Sequence, residues 1–141
     1  MNTKSFAFSA AAGRVLIGVL FLISGVGKLA APAATKAYIA ASGMPLPDLA
    51  FLGAIIVEVG FGLALVLGYR TRLVAAVMAL FALVTAVTFH HALGDTNQFI
   101  HFFKNVSIAG GLLQVVAFGA GALSLDALRE RRQPQLRAAV L

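Results

Sequence analysis

"LAFLGAIIVEVGFGLALVLG", residues 49–68, is a run of apolar and small side chains broken once, by Glu58. A helix of about 20 such residues spans the hydrocarbon core of a bilayer. The run lacks the period-2 alternation of a membrane β-strand, so it reads as a transmembrane helix. Three more runs of similar length follow outward from it, at roughly 9–31, 72–92 and 105–123. The expected fold is therefore an all-α membrane protein, a bundle of four transmembrane helices.

Composition points the same way. Hydrophobic residues make up 60% of the 141 and charged residues 11%, against about 45–50% and about 25% in ordinary soluble domains. Lipid can cover the excess apolar surface that water could not. The chain has no cysteine, which excludes disulfides, thiolate metal sites and iron–sulfur clusters carried by this chain. Its net charge of +6 would raise nucleic acid as a partner in a soluble protein. Here the basic residues flank apolar runs, so the bilayer is the expected partner and nucleic acid is not.

The segment "MNTKSFAFSAAAGR", residues 1–14, has the lysine and small residues of a signal peptide. Its apolar character continues past Arg14, which favours an uncleaved first span. Residues 33–42 are expected to form a short interfacial helix anchored by Tyr38. "GYRTR", 68–72, is a tight turn, and "LRERRQPQLR", 128–137, is a basic helical tail. Four spans put both termini on one side, together with Lys4, Arg14, Arg70, Arg72, Arg129, Arg131, Arg132 and Arg137, against Lys28, Lys36 and Lys104 on the other. That bias predicts both termini in the cytoplasm. Residues 1–126 form the membrane domain and 127–141 the cytoplasmic tail. No internal repeat supports an inverted-repeat transporter.

Glu58 lies about 15 Å from either end of its span, near the midplane. A charged group there costs at least about 2.5–3.5 kcal/mol on insertion scales, so it must be protonated, paired or hydrated. Arg14, Gly18, Phe21, Gly25 and Lys28 follow at spacings of 4, 3, 4 and 3, one face of the first helix. The two glycines on that face permit close approach of a neighbouring helix. Glu58 falls vertically between the two cations, and pairing with Arg14 or Lys28 is expected. Such a pair either fixes helix register or belongs to a functional site; buried intramembrane charges serve both ends. Gln114, central in its run, needs a partner and is expected to point inward.

The polar group near one end, in "FHHALGDTNQFIHFF", 89–103, combines aromatic rings with His90, His91 and His101. Such rings and donors can hold a quinone head group, and they also describe an ordinary interfacial belt. The spacing is poor for metal ligation, and no metal is expected. Haem ligation is equally weak, because all three histidines cluster at one end. Thr85, Thr88, Ser107 and similar hydroxyls in spans commonly bond their own backbone.

Together, "RVLIGVLFLISGVGKL", "EVGFGLALVLGYRTR", "FHH" and "FFKNVSIAGGLLQVVAFGAGALSLD" resemble, in order and spacing, the DoxX family of small bacterial membrane proteins, from about Arg14 to Asp126. The resemblance implies a four-helix bundle in the cytoplasmic membrane, a link in some members to quinone-reducing sulfur oxidation, and association with membrane redox complexes or oxidative-stress defence. By motif match it points to Arg14, Lys28, Glu58, Arg72, His90 and Asn105. Family members usually end the last span with "GPG", where this chain has Gly119-Ala120-Gly121.

Two functional classes follow. In the first, the chain is the membrane component of a redox or oxidative-stress system that binds quinone or docks a redox enzyme. Glu58 is then the candidate catalytic proton donor or acceptor, and Arg14, Lys28, His90, Asn105 and Gln114 are candidate ligand-binding side chains. No cofactor is evident in the chain itself, so a quinone or a partner must carry the electrons. In the second, it is a non-catalytic scaffold or small-solute transporter, with Glu58 as a structural carboxylate. Homo-oligomerisation is open in both. A cavity beside Glu58 that opens between helices favours the first class; a closed interior with every polar group paired favours the second.

Overall fold

The structure, a computed structural model, describes residues 3–138, with side chains from 5 to 132. The expected tail residues 139–141, residues 1 and 2 of the membrane domain, and the side chains of Lys4 and Arg137 lie outside these. Six helices follow one another: α1 Thr3–Ala30, α2 Pro32–Ala41, α3 Pro47–Leu67, α4 Thr71–Phe89, α5 Thr96–Phe118 and α6 Leu125–Ala138. Four of them, α1, α3, α4 and α5, are long and apolar enough to cross a membrane. The described residues contain no strand.

Inside-out polarity confirms that reading. Leu16, Ile23, Leu80, Val87 and Phe118 point outward and are exposed, up to 73% for Phe118. The bundle centre is small by comparison: Phe21, Leu65, Met78 and Leu112, with Phe21 and Phe81 rings 6.4 Å apart. Along α4, Ala75, Ala79, Ala82 and Ala86 are all buried. Their 4-3-4 spacing makes a seam of small residues that lets α5 pack closely, as membrane helices require when lipid provides no hydrophobic drive between them.

The fourth span differs from expectation. It starts at Thr96, about nine residues earlier than the apolar run, because Asp95 caps it: its carboxylate accepts the Gln98 N–H at 2.9 Å. The polar look of residues 96–104 hid a first turn with a proper cap. The helix ends at Phe118 because Gly119 and Gly121 take positive φ, 81° and 74°. Glycine adopts that region freely, so the Gly-Ala-Gly sequence stops the helix without a proline.

Two carboxylate and guanidinium ties close the end of the bundle that carries both termini. Asp126 accepts the N–H groups of Arg70 and Thr71, each at 2.8 Å, and the Thr71 hydroxyl at 2.7 Å. It thereby caps α4 from the far end of the chain, and steadies Arg70, which sits at a positive φ of 44°. Burial alone would push the Asp126 carboxyl up. The hydrogen bonds from Thr71 and Arg70, with the charge of Arg129, outweigh burial and hold it below the ordinary carboxylate range.

Arg14 supplies the second tie. It is 3% exposed, and its two terminal nitrogens donate to the carbonyls of Ala120 at 3.0 Å and Leu123 at 2.8 Å. These carbonyls belong to the loop where α5 has ended and α6 has not begun, so their bonds cannot come from a helix. Arg14 is thus spent on the α5–α6 loop, and the expectation that it pairs with Glu58 is corrected.

Candidate functional site

Glu58 stands in a widened turn. Residues Ile56–Phe61 form a π-helical segment inside α3. Ala54, Glu58 and Gly62 are all buried. Two successive steps of four residues drift around an α-helix of 3.6 residues per turn. The π-turn takes up the extra residue and keeps all three on the face toward the bundle. Such insertions occur disproportionately at functional sites.

The opposing surface of α1 is flat enough to receive it. A Cβ placed on Gly25 would stand 2.6 Å from Val59 Cγ2 and 3.0 Å from Glu58 Cβ, and one on Gly18 would stand 2.6 Å from Val66 Cγ2 and 3.1 Å from the Gly62 carbonyl. Neither position has room for a side chain. The close approach brings Lys28 down onto the carboxylate: Nζ lies 2.8 Å from Glu58 Oε1. Ser24, one turn before Lys28, completes the group. Lys28 Nζ donates to Ser24 Oγ at 2.8 Å, and Ser24 Oγ donates to Glu58 Oε1 at 3.2 Å.

Of the two cations expected as partners, then, Lys28 pairs with Glu58. Arg14 lies about 21 Å along the helix from Lys28. Ser24 was missed. The signal was its position four residues before Lys28 on the same face. Glu58 Oε2 is buried and has no hydrogen-bond partner among the described residues. An unsatisfied buried acceptor costs about 1–3 kcal/mol, and more when charged.

The pair borders a cavity of ≈ 490 Å³ between α1, α3, α4 and α5. Ser24, Lys28 and Glu58 line one side; His90, His101, Lys104 and Asn105 line another; Phe21, Phe81 and Phe89 supply aromatic walls. The helix α2 covers it with Thr35, Tyr38 and Ile39. That helix, expected as an interfacial anchor, holds its place by burying Ile39 and stacking Tyr38 on Phe89, ring centroids 5.5 Å apart.

The polar end is pre-oriented. His90 and His101 rings stack at 5.0 Å. His90 Nδ1 meets Gln98 Oε1 at 2.9 Å. An amide oxygen only accepts, so Nδ1 donates there, and in the neutral imidazole Nε2 is then an acceptor. Lys104 Nζ lies 2.9 Å from His101 Nδ1; an ammonium only donates, so His101 accepts there. Asn105 uses its amide N–H on the His101 carbonyl at 3.1 Å, leaving its side-chain oxygen without that duty. His101, Lys104 and Gln98 were underrated because the fourth span was placed too late.

Some expected residues fall elsewhere. Gln114 is exposed on the outer face of α5. It follows Leu112, which is fully buried, by two residues, about 200° around the helix; the inward expectation is corrected. Phe99, Phe102 and Phe103 pack on one another, with centroids 4.7 and 5.3 Å apart, and do not line the cavity. His91 is exposed and also apart from it. Arg72 lies at the opposite end of the bundle, beside Gly119. Thr85 bonds its own backbone at Phe81. No group of three metal-ligating side chains gathers among the described residues.

Residues 9–91 match the DoxX family model. The chain is 38% identical to inner membrane protein YphA of Escherichia coli strain K12, covering 89% of this chain and 99% of that protein. It is 37% identical to inner membrane protein YqjF of the same organism, covering 84% of this chain and 90% of that protein. No solved structure matches it.

Proposed function

Because the chain belongs to the DoxX family of inner membrane proteins, we propose that the cavity beside Glu58 binds a quinone and that the protein is the membrane component of a redox or oxidative-stress system. The observation that carries this reading is the cavity's division into a polar end and apolar walls. A quinone has a polar head and an apolar tail, and a site for it needs a few placed polar groups inside an otherwise greasy pocket. Lys104 and His101 would donate to a quinone's carbonyl oxygens, and His90 Nε2 and the Asn105 side-chain oxygen would accept from the hydroxyls of its quinol form.

Reducing a quinone takes up protons as well as electrons. The electrons would come from a redox partner. Reduction to the quinol takes two protons; Glu58 would supply one and water the other. Glu58 Oε1 is held by Lys28 and Ser24, while Oε2 is unpartnered. A proton can therefore add at Oε2 without breaking the bond to Lys28. Lys28, 28% exposed at its side chain, lines the same cavity. A closed interior would favour the scaffold reading; the cavity supports a ligand-binding one.

The Lys/Arg distribution supports an orientation with both termini in the cytoplasm, which puts the cavity in the outer leaflet half. Mass spectrometry of the isoprenoid lipids that co-purify with the protein tests the reading. Quinone should be enriched over the membrane extract with the wild-type chain and depleted with Lys104→Met. Equal, unenriched quinone in both samples would leave the cavity without its proposed ligand.

A further inference from the structure

At the opposite end of the bundle, the starts of α4 and α6 and the end of α5 enclose an open groove of ≈ 910 Å³. Four arginines line it, Arg70, Arg72, Arg129 and Arg131, and all four are exposed. Among the described residues none of them forms a salt bridge; the ion pairs there are Lys28–Glu58 and Lys36–Asp48. Asp126, in the same groove, accepts the N–H groups of Arg70 and Thr71 and offsets one of the four positive charges. Glu130 is the remaining carboxylate.

The groove is not polar throughout. Leu73 and Phe118 share its wall and are strongly exposed, 60% and 73%. They belong to the terminal turns of two spans, α4 and α5, and so mark where hydrocarbon begins. Charge and apolar surface are stacked along the bilayer normal, cations at head-group level and rings and branched chains just inside. A soluble anion would use only the first. A phospholipid uses both, with its phosphate between the guanidiniums and its acyl chains over Leu73 and Phe118.

We propose that this groove binds an anionic phospholipid, held by Arg72 and Arg131 through its phosphate and by Leu73 and Phe118 through its chains. Arg129 takes less part, because its guanidinium lies over the Tyr69 ring at 4.5 Å. Arginine suits the role because its planar fork meets phosphate oxygens in pairs. The site is independent of the cavity at the other end and of what that cavity binds.

Native mass spectrometry tests it on the full chain released from bilayers of equal phosphatidylcholine and phosphatidylglycerol. The wild-type protein should retain phosphatidylglycerol in preference. Each of Arg72→Gln and Arg131→Gln should cut that preference about fivefold, the effect of one basic side chain near an anionic surface, and the pair should abolish it. Lys36→Gln, at the other end, should leave it unchanged, and thermal melting of each variant shows that the bundle is intact. Equal retention of both lipids, or a preference untouched by the double substitution, overturns the proposal. So does displacement of the retained lipid by millimolar inorganic phosphate, which would mean that the groove reads phosphate alone.

Discussion

Lys28 Nζ and Glu58 Oε1 stand 2.8 Å apart across the α1–α3 contact. The two ends of this bond are unequal: the Glu58 side chain is 6% exposed and that of Lys28 is 28%. The carboxylate depends on the pair for its only strong cation, whereas the ammonium can turn toward the cavity or the surface.

That inequality predicts unequal losses. Lys28→Leu strands a buried carboxylate and should cost roughly 3–5 kcal/mol, the usual penalty for breaking a buried pair. Glu58→Gln should cost less. The double mutant should be far less destabilised than the sum. Thermal unfolding in detergent measures the cycle, and strict additivity would sink the pairing.

Gly25→Ala should loosen the same contact by another route. The new methyl meets Val59 Cγ2 and Glu58 Cβ, so α3 must back away or Val59 must leave its rotamer. Overpacking of this kind costs about 1–3 kcal/mol. Gly27→Ala, whose methyl would meet nothing within 4 Å, serves as the control and should be neutral.

Arg14→Leu should act on the other end of the molecule. It removes two charge-assisted bonds to the Ala120 and Leu123 carbonyls, a loss of roughly 2–4 kcal/mol. Hydrogen exchange should rise in residues 119–125 and stay unchanged around Glu58. Its stability effect should add to that of Glu58→Gln; coupling between them would revive Arg14 as the partner of the carboxylate.

Asp126 predicts a pH response. Its folded-state pKa is depressed, so its contribution is fully present above the unfolded value, about 3.9, and is lost as pH falls through the folded value. Wild-type melting temperature should drop more steeply below about pH 4 than that of Asp126→Asn. Parallel acid limbs for the two proteins would contradict the capping role.

Much of the bundle was legible because its signals are periodic. The stripe Arg14, Gly18, Phe21, Gly25, Lys28 repeats at helix spacing, and four of its members are buried while Lys28 is half-buried. The family resemblance to DoxX proteins was carried by the same stripe and by "EVGFGLALVLGYRTR", and the comparison with known proteins bears it out. What pairing Glu58 makes was not legible. It depends on where α5 stops, because the exposed carbonyls of that loop claim Arg14 and leave Lys28 for the carboxylate.

The start of α5 was hidden for a different reason. A hydropathy window reads residues 96–104 as loop, while the cap at Asp95 needs only one side chain and one N–H. Moving the helix start brought His101, Lys104 and Asn105 onto one ordered turn beside His90. The π-turn had no signal beyond the carboxylate itself. The spacing Ala54, Glu58, Gly62 makes sense only once all three are known to be buried.

Equilibrium titration of a ubiquinol or menaquinol analogue, whose hydroxyls can donate to His90 Nε2, into the purified protein in nanodiscs is the sharpest check on what the cavity binds. Binding to the wild-type chain should be saturable, weakened roughly tenfold by His90→Ala, about the worth of one hydrogen bond in a low-dielectric site, and little changed by Glu58→Gln, which instead should shift the pH dependence of quinone reduction by a partner. Non-saturable partitioning, identical in wild type and His90→Ala, would contradict the quinone reading.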